Sequence, residues 1–262
     1  MPIGIVAAYS VGALSFFPGD QALSLKGWER FFKGSIYLSL FRKSVWISLR
    51  VSVVSVLLAY PISYFLALGA KKRKYVLLMI IIAPFLTSYL LRVLAFKVIL
   101  GDQGLVNSLF YSLHLRSPGH PIPWLLYSRF TVMLVLTYVW VPFVALPIFV
   151  SLENLDRSLL EGASDLGAGR WQIFWRVTLP LSMPGVMAAF LFVFIPTIGE
   201  FVTPLLVGGT RGFMYGNVIA DLFGPGFDWQ TGSVLALFLL AVTAAVATAF
   251  GRFLQIKAVA AD

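Results

Sequence analysis

The chain contains no cysteine and only two histidines. Disulfide bonds and thiolate metal sites are therefore excluded, and His114 and His120, six residues apart in one predicted loop, make a poor pair of metal ligands. Charged residues are scarce: they form 12% of the 262 residues, where soluble proteins carry about a quarter. There is also no G-x-x-x-x-G-K-[ST] phosphate loop and no convincing Ser/His/Asp group. The sequence therefore predicts neither an enzyme nor a soluble domain, and no metal or cofactor is expected on this chain.

Long apolar runs are what the sequence has in abundance, because 59% of its residues are hydrophobic. About 20 apolar residues suffice to cross a bilayer, and the runs predict an all-α, polytopic membrane bundle of about six spans. The first span is short and has no basic region before it, so it is not typical of a cleaved signal peptide. We expect either a short first helix or one truncated by a wrong start site. The predicted spans are 3–18, 47–70, 75–98, 130–151, 184–207 and 231–254.

The net charge of +9 is explained by basic residues at the ends of the apolar runs, where they meet lipid headgroups. No nucleic-acid partner is expected. Lys71, Lys72, Arg73 and Lys74 form a tight basic turn between the second and third spans, which favours a cytoplasmic position for that turn. Alternation of the spans then places both chain termini in the cytoplasm. Lysines and arginines are divided almost equally between the two predicted sides, so the turn rather than the total count supports this orientation.

A polar segment rich in glycine, residues 153–180, separates the fourth and fifth predicted spans. Ser158 and Glu161 have the S-x-x-E spacing of a capping box, which predicts a helix that begins near Leu159. Gly167 is suited to the left-handed conformation that ends a helix.

A second helical run is predicted over residues 170–178 of the same segment. We expect it to end near Pro180, because the residue before a proline is pushed out of the helical region. The 153–180 segment should therefore form two short helices that protrude from the membrane and suit a socket on a soluble partner.

The spacing E-x-A-x-x-x-G, then nine residues, then V-x-L-P resembles the cytoplasmic EAA loop of permease subunits in binding-protein-dependent ABC transporters. The sequence departs from that pattern at Gly162, where alanine is usual, and at Val177, where isoleucine is usual. Glycine within a helix costs about 1 kcal/mol relative to alanine, so this helix should be looser than most. The resemblance implies that the ATPase-coupling residues are Glu161, Gly162, Ala163, Gly167, Leu179 and Pro180.

Further stretches at 90–109, 146–168 and 193–209 resemble spermidine/putrescine permeases, so that the likeness covers roughly residues 45–255. It implies an inner-membrane permease subunit that pairs with a second permease, two ATP-binding subunits and an extracytoplasmic substrate-binding protein. The ATP-binding subunits would use the ATP, and the cargo would be a polyamine. Related families carry iron, sulfate or phosphonate, and these solutes stay open as alternatives. An ion-coupled secondary transporter is the alternative of another class, although such proteins usually show inverted repeats and several midplane acids. A membrane enzyme is a more remote alternative.

Glu200 is the first candidate for the transport pathway. It follows about 23 uncharged residues, and ionisable groups at such depth are expensive and usually functional. Pro196, Gly199 and Pro204 predict a distorted helix around it. The alternative is a structural ion pair between Glu200 and Arg92.

Three other residues could line the pathway. Arg92 could do so, or it could extend to the outer interface as Lys97 could. Asp102, in a predicted outer loop, could attract cations or could be a solvated loop charge. Trp140 could make cation–π contacts with amines, although most membrane aromatics serve in packing.

Overall fold

A computed structural model describes residues 2–15, 23–117 and 119–259, and every regular element in these ranges is helical. Three five-residue π-helical segments, Phe65–Gly69, Phe174–Thr178 and Pro204–Gly208, interrupt or extend the α-helices. The α-helices are α1 (Pro2–Ser10), α2 (Lys26–Lys33), α3 (Ser35–Tyr64), α4 (Lys74–Ile82), α5 (Tyr89–Ile99), α6 (Leu105–Ser112), α7 (Arg129–Glu153), α8 (Arg157–Asp165), α9 (Arg170–Ile173), α10 (Leu179–Ile198), α11 (Gly209–Gly212), α12 (Tyr215–Phe223) and α13 (Trp229–Val259).

Four continuous helical stretches in the described residues are long and apolar enough to cross a membrane, and a fifth candidate is a bent pair. The multi-pass, all-α membrane bundle predicted from the apolar runs is confirmed. The four stretches overlap the predicted second, fourth, fifth and sixth spans. The four are Ser35–Gly69, Arg129–Glu153, Arg170–Ile198 and Trp229–Arg252.

Two predicted spans have a different form from the one expected. The stretch 75–98 is a pair of helical pieces, Lys74–Leu86 and Tyr89–Ile99, that meet at an angle of 83°. Thr87 lies at the bend in an extended conformation, and its hydroxyl donates to the carbonyl of Pro84 at 2.6 Å. The stretch 184–207 ends earlier than predicted, at Ile198, and the distortion expected around Glu200 is confirmed.

The first predicted span, 3–18, is represented by a shorter helix. Helix α1 has nine residues, which is about 13 Å and less than half of the hydrocarbon thickness. A turn follows at residues 11–14. Residues 16–18 lie outside the described part of the chain.

The helices divide into two compact units, of which the first comprises Met1–Ser48, Lys97–Val132 and Ile195–Asp262. Its core is an aromatic cluster in which Phe31 and Tyr215 are fully buried with Val234 and Leu235. The Tyr215 hydroxyl donates to the carbonyl of Leu235 at 3.2 Å, so the buried phenol is satisfied. Helix α2 belongs to this core through Phe31.

The second unit comprises Leu49–Phe96 and Met133–Phe194. Small and hydroxylated residues let its helices approach closely. The Ser63 hydroxyl donates to the carbonyl of Ala145 at 2.9 Å, and the Tyr60 and Ser182 hydroxyls are hydrogen-bonded at 2.9 Å. A Cβ added at Gly185 would lie only 2.3 Å from the Cβ of Ser151. Helices α7 and α10 are therefore in near backbone contact, and the 153–180 segment connects them.

Candidate functional site

Helix α8 begins two residues before the predicted position, and Asp156 rather than Ser158 caps it. The Asp156 carboxylate accepts from the backbone N–H of Ser158 at 2.9 Å, and Asp156 has the extended conformation of an N-cap residue. The hydrogen bond from the backbone N–H of Ser158, and next the one from its side chain, lower the pKa of Asp156. The predicted Ser158–Glu161 capping box is wrong because aspartate is an equally good cap and it stands first in the chain.

The end of helix α8 is as predicted. Gly167 has a φ of +84°, and its N–H donates to the carbonyl of Ser164 at 2.9 Å while the N–H of Ala168 donates to that of Ala163 at 3.0 Å. These two bonds define a Schellman motif, which satisfies the last carbonyls of a helix. The left-handed stop at Gly167 is confirmed.

The motif residues of α8 lie on an accessible helix. Glu161 and Gly162 are exposed and Ala163 is half-buried. A Cβ added at Gly162 or at Gly167 would meet no atom within 4 Å. The chain itself thus leaves room around this helix.

The second helical run does not stop at Pro180. Helix α9, the π segment Phe174–Thr178 and α10 form one stretch of 29 residues, Arg170–Ile198. The N–H of Leu179 donates to the carbonyl of Phe174, five residues back. Such a π turn absorbs one extra residue immediately before the proline, which has no N–H to lose. The predicted end is therefore wrong, and Leu179 and Pro180 lie inside a continuous helix.

Large apolar side chains are exposed around α8 and α9. Leu166 is 91% and Trp171 is 72% exposed, and Leu159 and Trp175 are about half exposed. Trp171 stacks on Phe174 at 5.8 Å between ring centroids. Exposed aromatic and leucine side chains on a protruding polar segment are typical of a protein-binding surface. The sequence pattern did not single out Leu166 or the two tryptophans.

An ion pair holds the base of the 153–180 segment. Lys74, the first residue of α4, pairs with Glu153, the last residue of α7, and their side chains are only 18% and 25% exposed. The second carboxylate oxygen of Glu153 is buried without a hydrogen-bond partner. The basic turn and the 153–180 segment are therefore connected to each other.

Glu200 caps the helical turn that follows the break after α10. Its Oε1 accepts from the backbone N–H groups of Val202 at 2.8 Å and Thr203 at 3.2 Å. This gives Glu200 a structural role that spacing did not reveal. Glu200 and Arg92 belong to different compact units, so their pairing stays a prediction.

Arg92 does not extend to the surface, which corrects the alternative that it snorkels. Its residue is only 8% exposed, and its guanidinium carbon lies 5.5 Å from the centroid of the Phe85 ring. Phe85 packs edge-on against Phe143 at 4.2 Å, and Phe143 contacts Trp140 at 5.6 Å. Two predicted pathway residues, Arg92 and Trp140, are thus joined by two phenylalanines that the sequence analysis did not identify.

Asp102 lies in the other compact unit, in an exposed turn between α5 and α6. Asp102 and Glu200 therefore fall in one unit, and Arg92 and Trp140 in the other. Within the described ranges, no group of three or more histidine, cysteine, aspartate or glutamate residues could hold a metal ion.

Comparison with known proteins adds to this geometry. Residues 44–258 match the family described as "Binding-protein-dependent transport system inner membrane component". The chain is 35% identical over 214 residues to the spermidine/putrescine transport system permease protein PotB of Haemophilus influenzae, covering 80% of this chain and 74% of that one. It is 34% identical over 207 residues to PotB of Escherichia coli K12, covering 79% and 74%. It is also 34% identical over 164 residues to the molybdenum transport system permease protein ModB of Haemophilus influenzae, covering 59% and 66%.

Solved structures show the same fold at low sequence identity. A bacterial ABC transporter that imports the acidic polysaccharide alginate matches with a TM-score of 0.67 and 16% identity, over 97% of this chain and 88% of that one. The alginate transporter in complex with a pentasaccharide-bound periplasmic protein matches with a TM-score of 0.68 and 16% identity, over 94% and 84%.

Proposed function

Since this chain belongs to the family of binding-protein-dependent transport system inner membrane components, we propose that the 153–180 segment couples it to an ATP-hydrolysing partner. The chain is a permease subunit of an ABC importer, and the alternative of an ion-coupled secondary transporter is therefore set aside. The observation that carries the coupling role is the exposed surface of α8 and α9, where Leu166 and Trp171 project beside the motif residues Glu161 and Gly167.

The assembly we propose contains a second permease subunit, two ATP-binding subunits and an extracytoplasmic substrate-binding protein, all in or at the inner membrane. ATP is used by the ATP-binding subunits, and none is bound by this chain. The basic turn at 71–74 and the 153–180 segment then lie in the cytoplasm, as do both termini. The Lys74–Glu153 ion pair supports a common side for these two segments. Closure of the ATP-binding subunits would move α8 and switch the pathway from inward to outward access.

We propose polyamines as the cargo, because the PotB relatives are named for spermidine and putrescine. Iron, sulfate and phosphonate remain the competing solutes, and molybdenum joins them because a permease of 34% identity is named for it. Uptake of labelled spermidine into proteoliposomes that hold the whole transporter, in competition with each of the other solutes, decides among them.

The coupling role is tested with Glu161→Lys and Gly167→Trp. Both positions are exposed, so the chain should still insert, while the added charge or bulk should block docking. We expect loss of ATP-dependent uptake and of co-purification with the ATP-binding subunit. Glu29→Lys is the matched control for Glu161→Lys, because it makes the same charge change at an exposed side chain outside the segment. Normal uptake with both segment variants contradicts the proposed coupling surface.

We propose that Glu200 meets the cationic cargo, with Asp102 and Trp140 as further contributors along the pathway. Its place at the helix break after a long uncharged run supports this role. If Glu200 serves only as a helix cap, substitutions at this position should affect uptake differently. Glu200→Gln keeps an amide oxygen that can cap Val202 and Thr203, whereas Glu200→Ala does not. If Glu200 only caps, the glutamine variant transports normally; if it binds an amine, the glutamine variant loses uptake while assembly stays intact.

A further inference from the structure

Arg92 is a buried charge with an unsatisfied donor. Its Nε lies buried without a hydrogen-bond partner, and the contact that its guanidinium makes with a π system, the Phe85 ring, supplies no negative charge. Arginine cannot be deprotonated in proteins. The positive charge therefore persists, and an anion is required to balance it.

The compact unit that contains Arg92 offers no such anion. Its four acidic residues all lie in the 153–180 segment. Glu153 is paired with Lys74 and Asp156 caps α8. The remaining two, Glu161 and Asp165, are exposed on α8. The carboxylate that faces Arg92 has to come from elsewhere.

A hollow of about 360 Å³ opens beside Arg92 and is large enough for a side chain from another helix. Its wall is apolar apart from Arg92, Thr137 and Tyr138. Next to it, the bend of the broken span presents Leu86, 85% exposed, and Leu91, 64% exposed. An apolar rim around one unpaired charge fits a transmembrane helix that carries one acidic residue.

The depth of the hollow argues against a lipid headgroup as the occupant. The first half of the broken span, Lys74–Leu86, is about 20 Å long at 1.5 Å per residue. The 83° bend follows it. With Lys74 at one edge of the bilayer, as its basic turn predicts, Arg92 just after that bend falls within the hydrocarbon layer of about 30 Å. Charged residues at such depth face a bundle interior or a cavity and pair with one another.

We propose that Arg92 forms an intersubunit ion pair with an aspartate or glutamate on a transmembrane helix of the second permease subunit. This inference rests on the proposed function, since it requires that the chain assembles with a second permease. The pair fixes the two subunits in register at the depth of the hollow. It also removes from the pathway a positive charge that would repel a cationic cargo.

The test measures how much second permease co-purifies with tagged chain from detergent-solubilised membranes, normalised to the tagged chain recovered. We expect Arg92→Gln to reduce recovery at least about tenfold, because an unpaired acid is left buried in the partner. Lys97→Gln, a neutralisation on the same helix at a half-buried position, is the control and should have little effect. Neutralising one membrane acid of the second permease together with Arg92→Gln should restore recovery, which a misfolded variant could not do.

Three results would overturn the inference. The first is unchanged recovery and unchanged uptake with Arg92→Gln. The second is rescue of Arg92→Gln by Glu200→Gln within the same chain, which assigns the pair to one subunit. The third is unchanged recovery with a selective loss of uptake of carboxylate-bearing solutes, which assigns the anion to the cargo. If the wild-type chain recovers no second permease at all, the proposed assembly itself has failed, and that result is distinct from the other three.

Discussion

Replacing Gly162 by alanine should stabilise helix α8 without blocking its surface. Glycine costs about 1 kcal/mol relative to alanine in a helix interior, and an added Cβ at Gly162 meets nothing within 4 Å. No clash offsets the gain. A difference of 1.4 kcal/mol changes an equilibrium constant tenfold. The equilibrium constant for local opening of this nine-residue helix should therefore fall roughly fivefold. Alanine is also the usual residue of the EAA loop at this place, so uptake should be retained.

Amide hydrogen exchange of the peptide that covers α8 measures this opening directly. We expect exchange roughly fivefold slower in Gly162→Ala. Gly167→Ala is the matched control: its Cβ also has open space, but its φ of +84° costs a residue with a side chain roughly 1–2 kcal/mol, so exchange should become faster. A change of the same sign in both variants, or faster exchange in Gly162→Ala, would refute the reasoning.

Three further predictions concern orientation, pH and packing. A cysteine at Lys72 should resist a membrane-impermeant thiol reagent in intact cells and one at Gly119 should react, against a background free of native cysteine; the reverse pattern contradicts the orientation. Because the pKa of Asp156 is lowered, its stabilisation of α8 is complete above the ordinary aspartate pKa of about 4 and is lost as pH falls through the depressed value; exchange corrected for the pH dependence of unprotected amides should show this loss, and the part due to Asp156 should be absent in Asp156→Asn. Gly185→Ala should destabilise the protein by about 1–3 kcal/mol through overpacking against Ser151, and an unchanged melting temperature would contradict it.

Much of the fold could be predicted because bilayer crossing leaves a strong signal in the sequence. An uncharged run such as 130–151 has few alternatives to a transmembrane helix, since the backbone must satisfy its own hydrogen bonds in lipid. Gly167 could be predicted as a helix end for a similarly local reason: only glycine enters the left-handed region without penalty.

The features that could not be predicted depend on competition between neighbours or on distant contacts. Asp156 and Ser158 are both good caps, and the sequence does not say which one the backbone uses. The helix passes Pro180 directly after a π turn, which the proline rule does not include. The burial of Arg92 against Phe85 depends on the bend at Thr87, and the capping role of Glu200 depends on where α10 ends. Composition alone predicts neither the burial of Arg92 nor the capping role of Glu200.

The π segments have a consequence for how such chains change over evolution. One residue inserted into a regular α-helix rotates every later side chain by about 100°, which would turn a buried face toward lipid. The segments Phe65–Gly69 and Phe174–Thr178 each already accommodate an extra residue near one end of a membrane-length helical stretch. Single-residue insertions and deletions among relatives can be absorbed there, so the parts on either side can vary in length while each keeps its own buried face.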